Sequence, residues 1–133
     1  MPVVVDPAKE GFEKVLRDYQ IEALNSIWGN PSKGVTSRDV FQAVNKSLEG
    51  VKTVSRASII NFLNEMCDDK VLNYEETCKG GLRWKYYPNL DEKGFKKYIV
   101  KIVFESLVKD FPEQTMEALK ESLGKSTEKK LVE

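Results

Sequence analysis

The segment SRASIINFLN, residues 55–64, carries two side chains with the chemistry to recognise DNA bases. Arginine can form a bidentate pair of hydrogen bonds with the O6 and N7 atoms of guanine, and asparagine can pair in the same way with adenine. Arg56 and Asn61 are out of helical phase with the apolar Ile59 and Phe62, so in a helix they face away from the core. We predict that Arg56 and Asn61 read base edges. The alternative is that they are solvated side chains of an ordinary surface helix.

A wider set of residues around this helix is predicted to contact DNA. Its members are mostly small or polar residues at the start and on the outer face of the helix, together with basic residues that precede it or follow in a hairpin. They are Lys52, Ser55, Arg56, Ala57, Ser58, Ile60, Asn61, Asn64, Lys79, Arg83 and Lys85. Ser55 is placed to cap the helix, whose N-terminus can hold a phosphate. For the basic residues of the hairpin, the alternative is an exposed face that contacts no ligand.

The distribution of charge decides whether this interpretation is possible. The chain has 21 basic and 21 acidic residues, so its formal net charge is zero. Because Lys and Arg supply much of a protein's affinity for DNA, the basic residues must be concentrated on one face. The acidic Glu65, Asp68 and Asp69 fall in the distal half of the helix, which should point away from DNA. Glu75 and Glu76 lie near the basic hairpin residues and favour the alternative function, a module that binds another protein.

The composition argues against catalysis and against a metal centre. The chain has no histidine, which removes the commonest general base, and its only cysteines are Cys67 and Cys78. Two thiolates without histidine cannot complete a tetrahedral zinc site. Free thiols are expected in the cytoplasm, and a disulfide between the two is the alternative. We therefore predict no enzymatic activity, no metal and no cofactor.

Hydrophobic periodicity predicts three short helices, a hairpin and two further helices. The predicted helices span about residues 17–28, 36–48, 55–69, 91–110 and 112–124. Thr36 and Asp39 occupy the positions of a capping box at the start of the second helix, with an aspartate in place of the usual glutamate. Gly124 is expected to stop the last helix.

The hairpin is predicted from two strand-like runs that flank Gly80-Gly81. The second run alternates apolar with mostly basic residues: Leu82, Trp84 and Tyr86 against Arg83, Lys85 and Tyr87. One face can therefore pack on the helices, which places Trp84 and Tyr86 in the core, while the other faces solvent or a ligand. Three helices and a hairpin form a winged helix-turn-helix, whose third helix enters the major groove. The predicted fold is mainly α with a small β-hairpin, followed by C-terminal dimerisation helices.

Those C-terminal helices carry more apolar surface than one chain can cover. Lys97, Lys101, Glu105 and Lys109 form one polar row at i,i+4 spacing, and apolar residues occupy much of the remaining circumference. A helix that rests on a single core needs an apolar arc of only about 100°. We therefore predict a homodimer, formed by Phe95, Ile99, Ile102, Val103, Leu107, Phe111, Met116, Leu119 and Leu123.

The predicted organisation has three parts. Residues 1–15 form a loose N-terminal arm, residues 16–90 a winged-helix DNA-binding domain, and residues 91–133 a helical dimerisation region. No apolar run approaches the ~20 residues that a bilayer crossing needs, and the first residues lack the pattern of a secretory signal. We therefore expect a cytoplasmic protein.

The order and spacing of these segments resemble the BlaI/MecI penicillinase-repressor family over roughly residues 16–124. The resemblance rests on Trp28 at the end of the first helix, the Val54-Ser55 pair that opens the third, and the Tyr87-Pro88 pair that leads into the last helices. It implies a dimeric winged-helix repressor that binds double-stranded DNA, and it places Ser58 where the family has a threonine.

Two departures limit what the resemblance implies. The copper-responsive branch of the family has a C-terminal cysteine cluster, whereas this chain has no cysteine after Cys78. The penicillinase repressors are cut at an Asn-Phe bond on induction, whereas the matching place here is Asp110-Phe111 followed by Pro112. The resemblance therefore extends to the fold and to DNA binding but not to the inducing signal.

Overall fold

The computed structural model describes residues 4–77 and 83–132, and the side chains of residues 4–76 and 84–124. The chain forms two compact units, Met1–Phe95 and Lys96–Glu133. The division falls after Phe95, whereas the sequence places the end of the winged-helix domain at residue 90.

The first unit contains three helices and a small sheet. A 3-10 helix at Gly11–Lys14 precedes α1 (Asp18–Trp28), β1 (Val35–Thr36), α2 (Ser37–Ser47), α3 (Arg56–Asp68), β2 (Leu72–Thr77) and β3 (Arg83–Pro88). Its core is built from the apolar faces of these elements: Leu24, Ile27, Val40, Val44, Ile59, Phe62, Leu63, Met66, Leu72 and Tyr86. Ile59 and Phe62, which the sequence places on the inner face of the third helix, are both in this core.

The starts of α2 and α3 are fixed by side chains that satisfy otherwise unpaired backbone N–H groups. Thr36 Oγ1 accepts from the backbone N–H of Asp39 at 3.2 Å, and Asp39 Oδ2 accepts from the N–H of Thr36 at 3.1 Å. The predicted capping box is therefore present. Ser55 Oγ accepts from the N–H of Ser58 at 3.2 Å, which confirms the predicted cap of α3.

The sheet has three antiparallel strands in the order β1-β3-β2. The β2–β3 hairpin is the one that the sequence predicts, although its Gly80-Gly81 turn lies outside the described residues. The sequence analysis missed β1, a two-residue strand in which Val35 pairs with Tyr86 and Thr36 with Lys85. Three helices followed by this hairpin form a winged helix. The fold class is the predicted one.

Gly34 allows β1 to reach the sheet. Its φ angle is +75°, and a β-carbon added there would lie 2.7 Å from ring carbons of Tyr87. Both the backbone conformation and the lack of space therefore require glycine at this position.

An aromatic cluster ties the N-terminal segment to the rest of the first unit. The ring centroids of Phe12, Trp28 and Phe95 lie 5.6 to 5.7 Å apart in all three pairs. The Trp28 indole N–H donates to the carbonyl of Leu90 at 3.0 Å. Residues 11–14 are thus held on the core through Phe12, whereas the sequence predicts a loose arm.

Phe95 is completely buried in this cluster. The sequence analysis assigned Phe95 to the dimer surface, and this assignment is wrong because the side chain is already covered within its own unit. The apolar periodicity of the helix could not distinguish a residue that packs on the first unit from one that remains exposed.

The C-terminal helices are α4 (Glu92–Asp110) and α5 (Pro112–Val132). The predicted stop at Gly124 is wrong, because α5 continues through it. One glycine costs a helix only about 1 kcal/mol relative to alanine, and the residues that follow include the helix-forming Glu128, Lys129 and Lys130. Within the described parts of the chain, no helix combines the length and apolar composition that a membrane crossing requires.

No described side chain between residues 96 and 124 is buried. Several large apolar ones are markedly exposed: Val100 (67%), Leu107 (44%), Phe111 (57%), Met116 (44%) and Leu123 (56%). Val100 and Leu107 are seven residues apart in α4 and share one helical face. Phe111 lies between α4 and α5, and its N–H donates to the carbonyl of Leu107 at 2.7 Å. Between residues 96 and 124, the second unit therefore shows half-buried and exposed apolar side chains but no buried ones.

We expect Phe95→Ala to destabilise the protein by roughly 3–5 kcal/mol, because it opens a cavity inside the aromatic cluster. Urea denaturation at a fixed protein concentration measures this loss. Val51→Ala is the control, since Val51 is 75% exposed and its truncation should change the free energy of unfolding by no more than about 0.5 kcal/mol. Equal effects of the two substitutions would contradict the assignment of Phe95 to the core.

Candidate nucleic-acid interface

The outer face of α3 is the part of the first unit best suited to enter a groove of DNA. The inner face buries Ile59, Phe62, Leu63 and Met66. On the opposite side, Arg56, Ala57 and Asn61 are exposed, and so is Ser55 at the cap. Because the buried residues are confined to one face, the predicted base-reading side chains are left in solvent.

The position of α3 relative to α2 is set by the carboxamide of Asn45. Asn45 Oδ1 accepts from the backbone N–H of Val54 at 2.8 Å, and Asn45 Nδ2 donates to the carbonyl of Val54 at 3.2 Å. Nδ2 also donates to the carbonyl of Phe41 within α2, at 3.0 Å. One side chain of α2 thus holds both backbone groups of the residue that precedes the Ser55 cap. The sequence analysis missed this role, because an asparagine inside a helix gives no sign of which loop it contacts.

A groove of about 310 Å³ lies between α3, the start of α2 and the sheet. It is lined by Thr36, Ser37, Arg38, Arg56, Ile60, Asn64, Trp84 and Tyr86. The structure therefore brings together Arg56, Ile60 and Asn64 from the predicted set. It adds Arg38, which the sequence analysis did not consider because it belongs to the supporting helix. Arg38 and Arg56 lie in the first turns of two helices, where backbone dipoles also favour an anion.

One wall of the groove is held in place by a hydrogen bond from the sheet to α3. The hydroxyl of Tyr86 donates to Asn64 Oδ1 at 3.1 Å. Tyr86 itself is buried, and Asn64 is half-buried. Asn64 is therefore more constrained than Asn61, although the sequence treats the two as equivalent candidates.

The neighbouring Trp84 is half-buried and belongs to an aromatic stack. Its ring lies nearly parallel to that of Tyr74, with the centroids 4.1 Å apart and an angle of 14° between the planes. Tyr74 is 49% exposed. The stack stiffens the hairpin next to the groove, because the two rings come from opposite strands.

The opposite face of the hairpin carries mixed charge. In the register of the sheet, Lys85 stands between Thr36 of β1 and Glu75 of β2. Glu75 Oε2 accepts a hydrogen bond from the hydroxyl of Tyr87 at 3.2 Å, which constrains this carboxylate. The side chain of Arg83 is outside the described part of the structure, and Lys79 lies outside the described residues altogether. Of the predicted basic residues of the hairpin, only Lys85 can therefore be placed.

Lys52, in the loop before α3, already has a carboxylate partner. Its ammonium group lies 2.8 Å from Asp18 Oδ2 at the start of α1. The hydrogen bond from Lys52 is the main cause that lowers the pKa of Asp18 below its usual value, and partial burial opposes this effect. Any phosphate contact by Lys52 must therefore compete with Asp18.

Cys67, near the end of α3, is a free and half-buried cysteine. Burial, reinforced by the charge of Asp68, raises the pKa of its thiol to about 11. At neutral pH the thiol is therefore protonated and weakly reactive. Cys78 lies outside the described residues.

No protein-family model and no curated protein matches this chain. Among solved structures, the chain is similar to BlaI of Bacillus licheniformis, determined as a monomer in complex with the blaP half-operator. The sequence identity is 24%, the match covers 59% of this chain and 85% of that one, and the TM-score is 0.42.

Two further structures share the likeness. One is a possible transcriptional regulator from Methanosarcina mazei, with 17% identity, coverage of 80% of this chain and 78% of that one, and a TM-score of 0.49. The other is MepR, a transcription regulator of the Staphylococcus aureus efflux pump MepA, with 16% identity, coverage of 89% and 82%, and a TM-score of 0.47. These likenesses concern the fold, and the function proposed below rests on the residues of this chain.

We expect the pKa of Asp18, followed by NMR titration, to lie below its usual value of 3.8. Lys52→Ala should raise this pKa, because it removes the largest stabiliser of the carboxylate. The pair adds stability at neutral pH and loses it as the pH falls through the lowered pKa. Because the two side chains are 47% and 43% exposed, this contribution should be no more than about 1 kcal/mol. Lys33→Ala, in another loop, is the control, and an unchanged titration of Asp18 in Lys52→Ala would rule out the pair.

Proposed function

We propose that this chain is a sequence-specific, double-stranded DNA-binding transcriptional regulator, a cytoplasmic repressor that acts as a homodimer on a palindromic operator. The observation that carries the proposal is the bare outer face of α3 beside a groove lined by Arg38 and Arg56. We further propose that the chain belongs with the BlaI/MecI-type repressors, which the order and spacing of its segments resemble.

The dimensions of α3 suit the major groove. The helix has 13 residues and is therefore about 20 Å long, and a helix with its side chains is about 10–12 Å across. The major groove of B-DNA is about 12 Å wide. The N-terminal part of α3 can enter it with Arg56, Ala57 and Asn61 toward the bases. Asn64, two turns after Arg56, is the last residue of α3 in the proposed contact set.

In this proposal, phosphate contacts surround the base-reading helix. Arg38 in the first turn of α2 and Ser55 at the cap of α3 would each bind a DNA phosphate at a helix N-terminus. Lys85 approaches from the hairpin, and Lys52 competes for phosphate with its own partner, Asp18. These contacts set the register of the protein on DNA but do not select sequence.

The homodimer is proposed from the second unit. Val100 and Leu107 are exposed on α4, Phe111 is exposed between the two helices, and Met116 and Leu123 are exposed along α5. A second copy offers the same apolar surface, so a two-fold pairing would cover both chains at once. Ile99, Ile102, Val103 and Leu119 remain in the proposed interface, whereas Phe95 does not.

A second candidate function is a module that binds another protein. Glu75 and Glu76 favour it, because both carboxylates are exposed on the hairpin and would oppose phosphates there. The selection from random duplex DNA described next distinguishes this alternative from DNA binding.

Selection from random duplex DNA tests the proposed function. The wild type should enrich a palindrome with half-sites about one helical turn apart or a multiple of it. Asn61→Ala should weaken binding to that operator by roughly 5- to 150-fold and binding to random DNA much less, because Asn61 carries no charge. Arg56→Ala should weaken both. Asn25→Ala, at an exposed position on α1, is the control. If the wild type enriches no sequence, the protein-binding module becomes the better explanation.

Sedimentation equilibrium tests the homodimer. The wild type should be dimeric at micromolar concentration, and Phe111→Glu should raise the dissociation constant at least about tenfold by placing a charge in the apolar face. Lys109→Glu is the control, since Lys109 belongs to the exposed polar row of α4. A monomeric wild type, or equal effects of the two substitutions, would reject this interface.

A further inference from the structure

Tyr86 connects the core of the hairpin to the outer part of α3. Its ring is buried at only 2% exposure, yet its hydroxyl reaches the groove and donates to Asn64 Oδ1 at 3.1 Å. Asn64 is two turns beyond Arg56 on the same side of α3, and both residues line the groove. A buried tyrosine thus determines how a groove-lining asparagine is oriented.

The Tyr86 hydroxyl remains a donor at any physiological pH. Burial, together with the nearby Cys67, raises its pKa to about 12. The proton that it shares with Asn64 Oδ1 is therefore retained.

This hydrogen bond decides which end of the Asn64 carboxamide is presented outward. A carboxamide has an acceptor oxygen on one branch and an NH₂ donor on the other. Holding Oδ1 toward Tyr86 turns Nδ2 away from Tyr86. Asn64 then offers a donor to an incoming ligand, whereas an unrestrained asparagine could offer either group.

In the major groove, a donor discriminates among the bases in a simple way. Guanine, adenine and thymine each present an acceptor there, whereas cytosine presents only the donor of its N4 amino group. We propose that Tyr86 is a positioning residue that holds Asn64 as a hydrogen-bond donor and thereby excludes cytosine from the base that Asn64 faces. This inference rests on the proposed DNA-binding function and names a determinant of its specificity.

Selection from random duplex DNA, carried out in parallel on variants of the full chain, tests the proposal. Asn64→Ala identifies the operator position that Asn64 reads, as the one whose base preference changes. At that position the wild type should disfavour cytosine. Tyr86→Phe keeps the buried ring but removes the donor, so the share of cytosine there should rise roughly 3- to 10-fold, the value of one hydrogen bond. Preferences at the other positions should be unchanged.

Tyr87→Phe is the matched control. It removes a hydroxyl from the next residue of the same strand, where the partner is Glu75 rather than a residue of α3. Its base preferences should match those of the wild type. The double variant Tyr86→Phe/Asn64→Ala should behave like Asn64→Ala, because Tyr86 acts through Asn64.

Different outcomes overturn different claims. An operator enriched by the wild type and selected identically by Tyr86→Phe would overturn this inference, as would a uniform loss of preference at every position, which indicates a merely structural role. Absence of enrichment by the wild type would overturn the proposed function itself. If circular dichroism shows Tyr86→Phe to be unfolded, Asn64→Asp takes its place. This variant presents only acceptors and should favour cytosine at the same position, and failure to do so would overturn the inference.

Discussion

The carboxamide of Asn45 is the contact on which the arrangement of the first unit depends. It forms hydrogen bonds with both the N–H and the carbonyl of Val54, so the loop between α2 and α3 is held to α2 at its last part. Ser55, the next residue, caps α3, so the start of the helix has a defined position relative to α2. The same contact therefore helps to determine which way the outer face of α3 points. Arg56, the first residue after the Ser55 cap, lies opposite the buried face of α3 and is exposed.

A net charge of zero does not prevent one face of the protein from attracting an anion, because the basic residues are unevenly distributed. Arg38 and Arg56 line the same groove, so two positive charges converge where two helix N-termini already favour an anion. Lys52 is different, because Asp18 compensates its charge in the absence of a ligand. Glu75 lies opposite Lys85 in the register of the sheet. The face is thus weakly rather than uniformly basic.

The sequence was sufficient for α1 to α4, the caps of α2 and α3, the hairpin strands and the inner face of α3, because periodicity and short-range hydrogen bonds decide these features. It did not predict the end of α5, which continues through Gly124. It could not reveal β1, since a two-residue strand has no period and forms only through pairing with β3. It could not separate Phe95 from the exposed apolar residues of α4, because the residues that bury Phe95, namely Phe12 and Trp28, lie far away in the chain. Arg38 and the Asn64–Tyr86 hydrogen bond were missed for the same reason. Side chains that meet across elements carry no local signal.

The pairing of β1 with β3 has a consequence for the order of folding. Val35 and Tyr86 are 51 positions apart, and all of α2 and α3 lies between them. Closing a loop of this length before its contents are structured is entropically costly, whereas the three helices involve nearer neighbours. The helices are therefore expected to assemble first, with the sheet closing over them afterwards. In a nascent or partly folded chain, α3 would then form before Tyr86 packs against it. The β2–β3 hairpin would be the last part of the groove next to α3 to form.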